Sequence, residues 1–159
     1  IMGTSDIHGL IDWDYTEKGN QRPITLVFAK ERNIESMQEA LFAGRTVAVY
    51  NDLMVGKEEF LIPLLEQSLI VEKASYANNT HVLLLEVKNI TSSDLLFENE
   101  SEYTFYDSSP VFEIKAGETK KLSLKTLENK REVLLKLKAL GCFTAPKQQP
   151  TISYNIMVK

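Results

Sequence analysis

Cysteine is almost absent from this chain of 159 residues, with Cys142 the single example. One thiol excludes an intramolecular disulfide and a zinc-ribbon ligand set. It leaves the redox compartment open. Histidine is scarce too, at His8 and His81 only. Basic residues are not in excess: 18 Lys and Arg stand against 22 Asp and Glu, for a formal net charge of −4. That balance argues against an electrostatic nucleic-acid binder, which normally carries a clustered basic face. No apolar run reaches the ~20 residues of a membrane-spanning helix. There is no signal peptide, and an apolar residue, Ile1, precedes the first Met, so the native start is expected to lie further upstream. Internal repeats and low-complexity segments are also missing.

What is present is a chain with 43% hydrophobic residues. That suffices for one ordinary domain, or for a short piece joined to a domain of ~90 residues. Residues 10–23 end in a polar run with Gly19-Asn20 and Pro23, which reads as a loop. Thr25–Ala29 is a short apolar run suited to a buried strand. Asn33 is an N-cap for a helix over about 34–43, with Ile34, Met37, Ala40 and Leu41 on one face and Gly44 as the C′ residue. Thr46–Tyr50 is β-branched and reads as a strand, followed by a turn at Asn51-Asp52. A second helix opens at Lys57-Glu58-Glu59, where acidic residues suit the helix dipole. Its stripe is Phe60, Leu61, Leu64, Leu65 and Leu69, with Pro63 a source of a kink.

The texture changes at about residue 69. Strands are expected over 69–76, 81–90, 95–98, 103–106, 111–114, 119–127, 132–140 and 151–158. The alternation is cleanest where Val133, Leu135, Leu137 and Ala139 oppose Glu132, Leu134, Lys136 and Lys138. Short strands separated by turn signals every ~8–12 residues are the pattern of an antiparallel β-sandwich.

One stretch carries chemistry: Gly3-Thr4-Ser5-Asp6-Ile7-His8-Gly9. Residues i and i+2 share a strand face, so Asp6 and His8 can enter one cleft. A carboxylate oxygen and an imidazole nitrogen suit zinc, manganese or iron. On spacing alone, a turn Asp and an exposed His are the better explanation of the pair. His81 reads as a strand-edge residue beside a turn, and Cys142 as a buried thiol. Asp12 and Asp14 are a carboxylate pair in a loop, where a turn accounts for them. Lys30 and Arg32 follow a strand end, where a cation can hold a phosphate; a solvated helix entry is the alternative. Asn89-Ile90-Thr91 matches a glycosylation sequon.

The Gly3–His8 stretch resembles the last metal-binding motif of the PHP (polymerase and histidinol phosphatase) superfamily of metal-dependent phosphoesterases. Residues 25–32 and 39–48 resemble the tail of an organophosphate-diesterase-like subgroup, in which a β-sandwich follows the barrel. The resemblance implies an α+β fold. Residues 1–69 would be the end of a (β/α)7 barrel, and residues 70–159 an immunoglobulin-like antiparallel β-sandwich. It implies Asp6 and His8 as metal ligands, with Lys30 and Arg32 as candidates for substrate binding. The other ligands would lie upstream of Ile1, in a barrel that is the partner of this part of the chain. The implied activity is phosphodiester hydrolysis by a metal-activated hydroxide, with zinc, manganese or iron as cofactor in the full-length protein. This chain alone is expected to be inactive and to hold metal weakly. An extracytoplasmic location is implied by the resemblance alone. The competing reading is a non-catalytic interaction or carbohydrate-binding sandwich, with Tyr103, Phe105 and Tyr106 as candidate exposed aromatics, at least some of which core packing explains.

Overall fold

A computed structural model describes residues 1–4 and 22–158. Two helices and twelve strands run along them. Two compact units form: residues 1–61 with 141–148, and residues 62–140 with 149–159.

The first unit begins with β1 (Ile24–Val27), α1 (Ile34–Phe42), β2 (Thr46–Tyr50) and β3 (Leu53–Gly56). α1 starts where its cap directs: Asn33 is extended, and its side chain accepts from the Ser36 N–H at 2.8 Å. That satisfies one orphan donor of the first turn. The helix ends at Gly44, whose φ of +68° suits a residue without Cβ. Val47 and Val49 of β2 point into the core. β1 pairs antiparallel with β2, and β2 with β3 through a tight turn at Asn51-Asp52. Asn51 takes φ +50° there, a conformation asparagine tolerates. β11 (Cys142–Phe143) adds to β3 in parallel, giving the order β1-β2-β3-β11. Gly141 makes that addition possible. Its φ is +82°, and a Cβ there would stand 3.1 Å from the Asp52 carbonyl. Phe28 and Phe60 stack at 5.5 Å.

Neither β3 nor β11 was expected from the sequence. The expected helix at 34–43 is present, but of its apolar face only Ala40 is fully buried. α2 (Glu58–Ser68) runs through Pro63, with Leu61 and Leu65 fully buried. The division between the two units falls inside this helix.

The second unit is a sandwich of two four-stranded sheets. One is β4 (Leu69–Tyr76), β5 (Val82–Asn89), β9 (Thr119–Lys125) and β7 (Thr104–Phe105), in that spatial order. The other is β12 (Thr151–Met157), β10 (Glu132–Leu140), β6 (Leu95–Asn99) and β8 (Val111–Ile114). All their pairings are antiparallel. The orders β4-β5-β9 and β12-β10-β6 are the A-B-E and G-F-C orders of an immunoglobulin sandwich. β7 takes the place of strand D beside β9, although it precedes β8 along the chain.

Period-2 alternation accounts for the core. Leu83, Leu85 and Val87 of β5 and Leu122 and Leu124 of β9 face inward from one sheet. Phe97 of β6, Phe112 and Ile114 of β8, and Val133, Leu135 and Leu137 of β10 face them from the other. A one-residue slip of any of these strands would turn its apolar set to solvent. Tyr76 closes one end of the sandwich. Its hydroxyl accepts from the Lys130 N–H at 2.7 Å and lies 3.2 Å from the Lys130 carbonyl, tying β4 to the loop before β10.

Candidate functional site

The two expected metal ligands, Asp6 and His8, lie outside the described residues, as do Asp12 and Asp14. The segment leading into the motif is described. The Gly3 N–H donates to Thr25 Oγ1 at 2.9 Å, and that hydroxyl donates back to the Gly3 carbonyl at 3.1 Å. Thr46 Oγ1 donates to the Ile1 carbonyl at 2.6 Å. Thr25 sits in β1 opposite Ala48, and Thr46 opens β2 opposite Val27. Two neighbouring strands thus hold the start of the chain through side-chain hydroxyls. Gly3 permits the close approach: a Cβ there would meet the Ile24 carbonyl at 3.0 Å and Ala48 Cβ at 3.4 Å. These contacts anchor the residues just before the expected Asp6–His8 pair. In the sequence, Thr25 and Thr46 register only as β-branched strand formers. Their role as anchors has no local signature.

Lys30 and Arg32 lie in the bend between β1 and the first turn of α1, and both are exposed. That bend is braced by Asn33 Nδ2 donating to Glu31 Oε2 at 2.8 Å and by the Glu31 N–H donating to Ser36 Oγ at 3.0 Å. The nearby Arg45 is committed elsewhere. Its Nε donates to the Phe28 carbonyl at 3.2 Å and its Nη1 to Glu39 Oε1 at 3.2 Å.

His81 makes a 2.9 Å contact from Nδ1 to Asn129 Oδ1 and is exposed. Because Asn129 Oδ1 is an acceptor, that contact requires the proton on Nδ1, and it ties one turn to another. Cys142 is buried as expected, and desolvation pushes its thiol up to about 12. A thiol so shifted is inert as a nucleophile. Its folded pKa lies above the ordinary value, so the stability it contributes is present below about 9 and is lost as the pH rises towards about 12. We expect the native chain to resist a disulfide exchange reagent at pH 8 and to react fully in denaturant. We also expect Cys142→Ala to flatten the fall in stability above pH 9. Rapid labelling of the folded chain at pH 8 would contradict the burial. Tyr154 is raised in the same direction, by burial first and by the Glu66 charge second.

In the sandwich, Lys130 gathers a cluster of charge, as Lys138 does between Glu98 and Glu100. The Lys130 Nζ donates to Tyr103 Oη at 3.0 Å and lies 3.6 Å from Glu102 and 3.8 Å from Glu128. The hydrogen bond from Tyr103 is the main cause of a lowered Glu102 pKa, and the bond to Glu102 the main cause of a raised Tyr103 pKa. The carboxylates are exposed, so the cluster contributes little to stability. Tyr103 and Phe105 prove to be core residues, and only Tyr106, at 62% exposure with Lys125 Nζ 5.3 Å from its ring, stands outward. The aromatic face expected of a carbohydrate-binding sandwich is therefore reduced to one ring.

Among the described residues, no group of three or more His, Cys, Asp and Glu side chains is placed to hold a metal ion. Nor is any helix among them long and apolar enough to cross a membrane.

No curated protein matches the chain. A crystal structure of a two-domain protein from Bacteroides vulgatus, containing a predicted PHP-like metal-dependent phosphoesterase, is similar to it. The likeness has a TM-score of 0.78 at 27% identity and covers 98% of this chain. The chain spans only 45% of that protein's length. The expected α+β fold with an immunoglobulin-like β-sandwich is the fold observed. Residues 69–155 match the Ig-like domain family DUF5001; that match extends over more than half of the sequence, and the chain belongs to this Ig-like domain family.

Proposed function

We propose that this chain is the carboxy-terminal part of a PHP-type metal-dependent phosphoesterase of the organophosphate-diesterase-like subgroup. Residues 1–69 complete the catalytic barrel and residues 70–159 form the sandwich behind it. The observation that supports this most is the likeness to the two-domain protein, because it runs over 98% of the chain and therefore includes the residues ahead of the sandwich. Asp6 and His8 are the metal ligands in this reading. Their donor atoms suit zinc, manganese or iron, but two donors fall short of the ~4 ligands a bound ion needs. The described residues add no cluster to them. The remaining ligands come from the part of the polypeptide upstream of Ile1. When bound, the metal supplies an activated hydroxide and polarises the phosphoryl group. The part of this chain is to bring Asp6 and His8 to the site on a backbone anchored by Thr25 and Thr46, with Lys30 and Arg32 available to a phosphate oxygen.

The test is a phosphodiester hydrolysis assay with manganese or zinc, comparing this chain with the longer polypeptide. The longer protein should turn over substrate, and Asp6→Ala or His8→Ala should each lower its rate at least ~100-fold, since loss of outer-shell partners alone costs ~10–100-fold. The 159-residue chain should be inactive and should show no tight stoichiometric site in a zinc titration by calorimetry. Metal-dependent turnover by this chain alone would overturn the reading. So would a longer protein indifferent to both substitutions.

A further inference from the structure

β4 and β12 stand at edges of opposite sheets of the sandwich and do not pair with each other. Between them lies a cleft of about 530 Å³, lined by Val71, Ala74, Tyr154 and Ile156 among others. Tyr154 is fixed there by its hydroxyl, which donates to the Glu66 carbonyl at 3.0 Å. The ladder bonds tell which backbone groups face the cleft. The Val158 N–H donates to the Arg131 carbonyl, and the Ala139 N–H to the Pro150 carbonyl, each at 2.9 Å. Bonded positions alternate along an antiparallel ladder, so the even-numbered residues of β12 face β10. Ser153, Asn155 and Met157 turn their N–H and C=O groups the other way, where no described strand meets them. On β4, the Ser68 carbonyl accepts from the Ile90 N–H, and the Ala77 N–H donates to the Val82 carbonyl. The register shifts at Glu72 between those bonds, which leaves the backbone of Val71 and Ala74 facing the cleft.

We propose that this cleft receives an extended segment of a partner polypeptide, which adds to β12 as a further strand and places small apolar side chains between the sheets. Three features of the edge select that occupant. A row of unpaired strand groups is satisfied by another strand. Among the described strands of the sandwich, β12 is also the edge with no guard against pairing. It has seven residues in unbroken register with β10, and none of them is charged or proline. β4, by contrast, carries the bulge at Glu72 with Lys73 beside it, β7 has two residues, and β8 has four behind Pro110. The third feature is the lining: Val71, Ala74 and Ile156 suit apolar side chains at every second position of an incoming strand. A second copy pairing through its own β12 would leave the cleft unfilled, because its Ile152 and Ile156 are already buried in its own core.

The probe is a fluorescein-labelled peptide of alternating Val and Thr with Lys at both ends, added to the 159-residue chain and to the longer polypeptide. Binding is read by fluorescence anisotropy and its place by amide hydrogen exchange. At saturation the Asn155 and Met157 amides should exchange at least ~10-fold more slowly, while the Ile156 amide, already bonded to β10, should not change. Asn155→Pro deletes a free-edge donor and leaves the β10 ladder intact, and Ala74→Leu fills the cleft. Each should weaken binding about tenfold; if the proline variant melts early, Ala74→Leu decides. Absence of binding, binding that leaves the Asn155 and Met157 amides unprotected, or undiminished binding by Ala74→Leu would overturn the proposal. Protection of those two amides without peptide would overturn it too. Protection that grows with protein concentration would assign the edge to a second copy, and protection in the longer polypeptide alone would assign it to another part of the same chain.

Discussion

Phe97→Ala should destabilise the chain by about 4 kcal/mol, within the ~3–5 kcal/mol typical of removing a buried phenyl ring. Phe97 is fully buried in β6, its ring centroid 6.0 Å from that of Phe112. Phe112 in turn meets Phe105 edge-on at 5.4 Å. Truncation opens a cavity and removes one ring pair, itself worth ~0.5–1.5 kcal/mol. A domain of this size has ~5–15 kcal/mol to lose, so the midpoint of urea unfolding should fall steeply. Leu96→Ala is the control. Leu96 is the neighbour in the same strand, points to the opposite face and is 40% exposed. Its loss should cost under ~1 kcal/mol. Similar losses at positions 96 and 97 would mean that β6 does not have the register in which Phe97 opposes Phe112 and Ala139.

That contrast between adjacent residues is why the sandwich could be read in advance. Its strands are half-buried, and period-2 patterning carries the burial of each residue directly. The expected inward set of β10 (Val133, Leu135, Leu137 and Ala139) is buried in full. β3 and β11 escaped for a different reason. β11 has two residues and exists only because Gly141 lets the chain step beside Met54 and Val55. Nothing local to Cys142-Phe143 encodes that partner.

The first unit shows a second limit. Periodicity identified the apolar stripe of α1 correctly but said nothing of what would cover it. An amphipathic pattern fixes which face seeks burial, whereas the covering surface belongs to whatever else is present. The candidate site shows the same limit. Asp6 and His8 stand out as candidates by residue type, but the hydroxyls of Thr25 and Thr46 that hold the chain ahead of them act across the fold. A strand threonine that packs and one that anchors look identical in sequence. In the function proposed above these threonines also matter, because a ligand pair on an unsupported backbone would pay its ordering entropy each time a metal bound.

Asn89→Leu is expected to cost about 4 kcal/mol, because each buried polar group left unpaired costs ~1–3 kcal/mol. Asn89 is fully buried at the end of β5. Its Nδ2 donates to the Ser93 carbonyl at 2.8 Å and to the Ile114 carbonyl at 3.0 Å. Its Oδ1 accepts from the Thr91 N–H at 2.9 Å and from Thr91 Oγ1 at 2.8 Å. One amide thus ties β5, the turn after it and β8 together, and the leucine variant abandons all four contacts. The same bonds dispose of the glycosylation sequon, since the amide nitrogen is enclosed and both its hydrogens are in use. Asn89→Asp separates the two halves of the amide. The aspartate still accepts from Thr91, but at neutral pH it faces the Ser93 and Ile114 carbonyls as a charge without a donor. Its folded pKa should rise above the ordinary ~3.9. The protonated acid regains one donor, so this variant should be least impaired below pH ~4 and should weaken as the pH climbs through the raised folded value. Asn89→Leu should show no such dependence. Urea unfolding of both variants between pH 3.5 and 7 makes the comparison. Parallel profiles for the two would mean that the donor half of the amide does not hold β8, and that Asn89 acts through Thr91 alone.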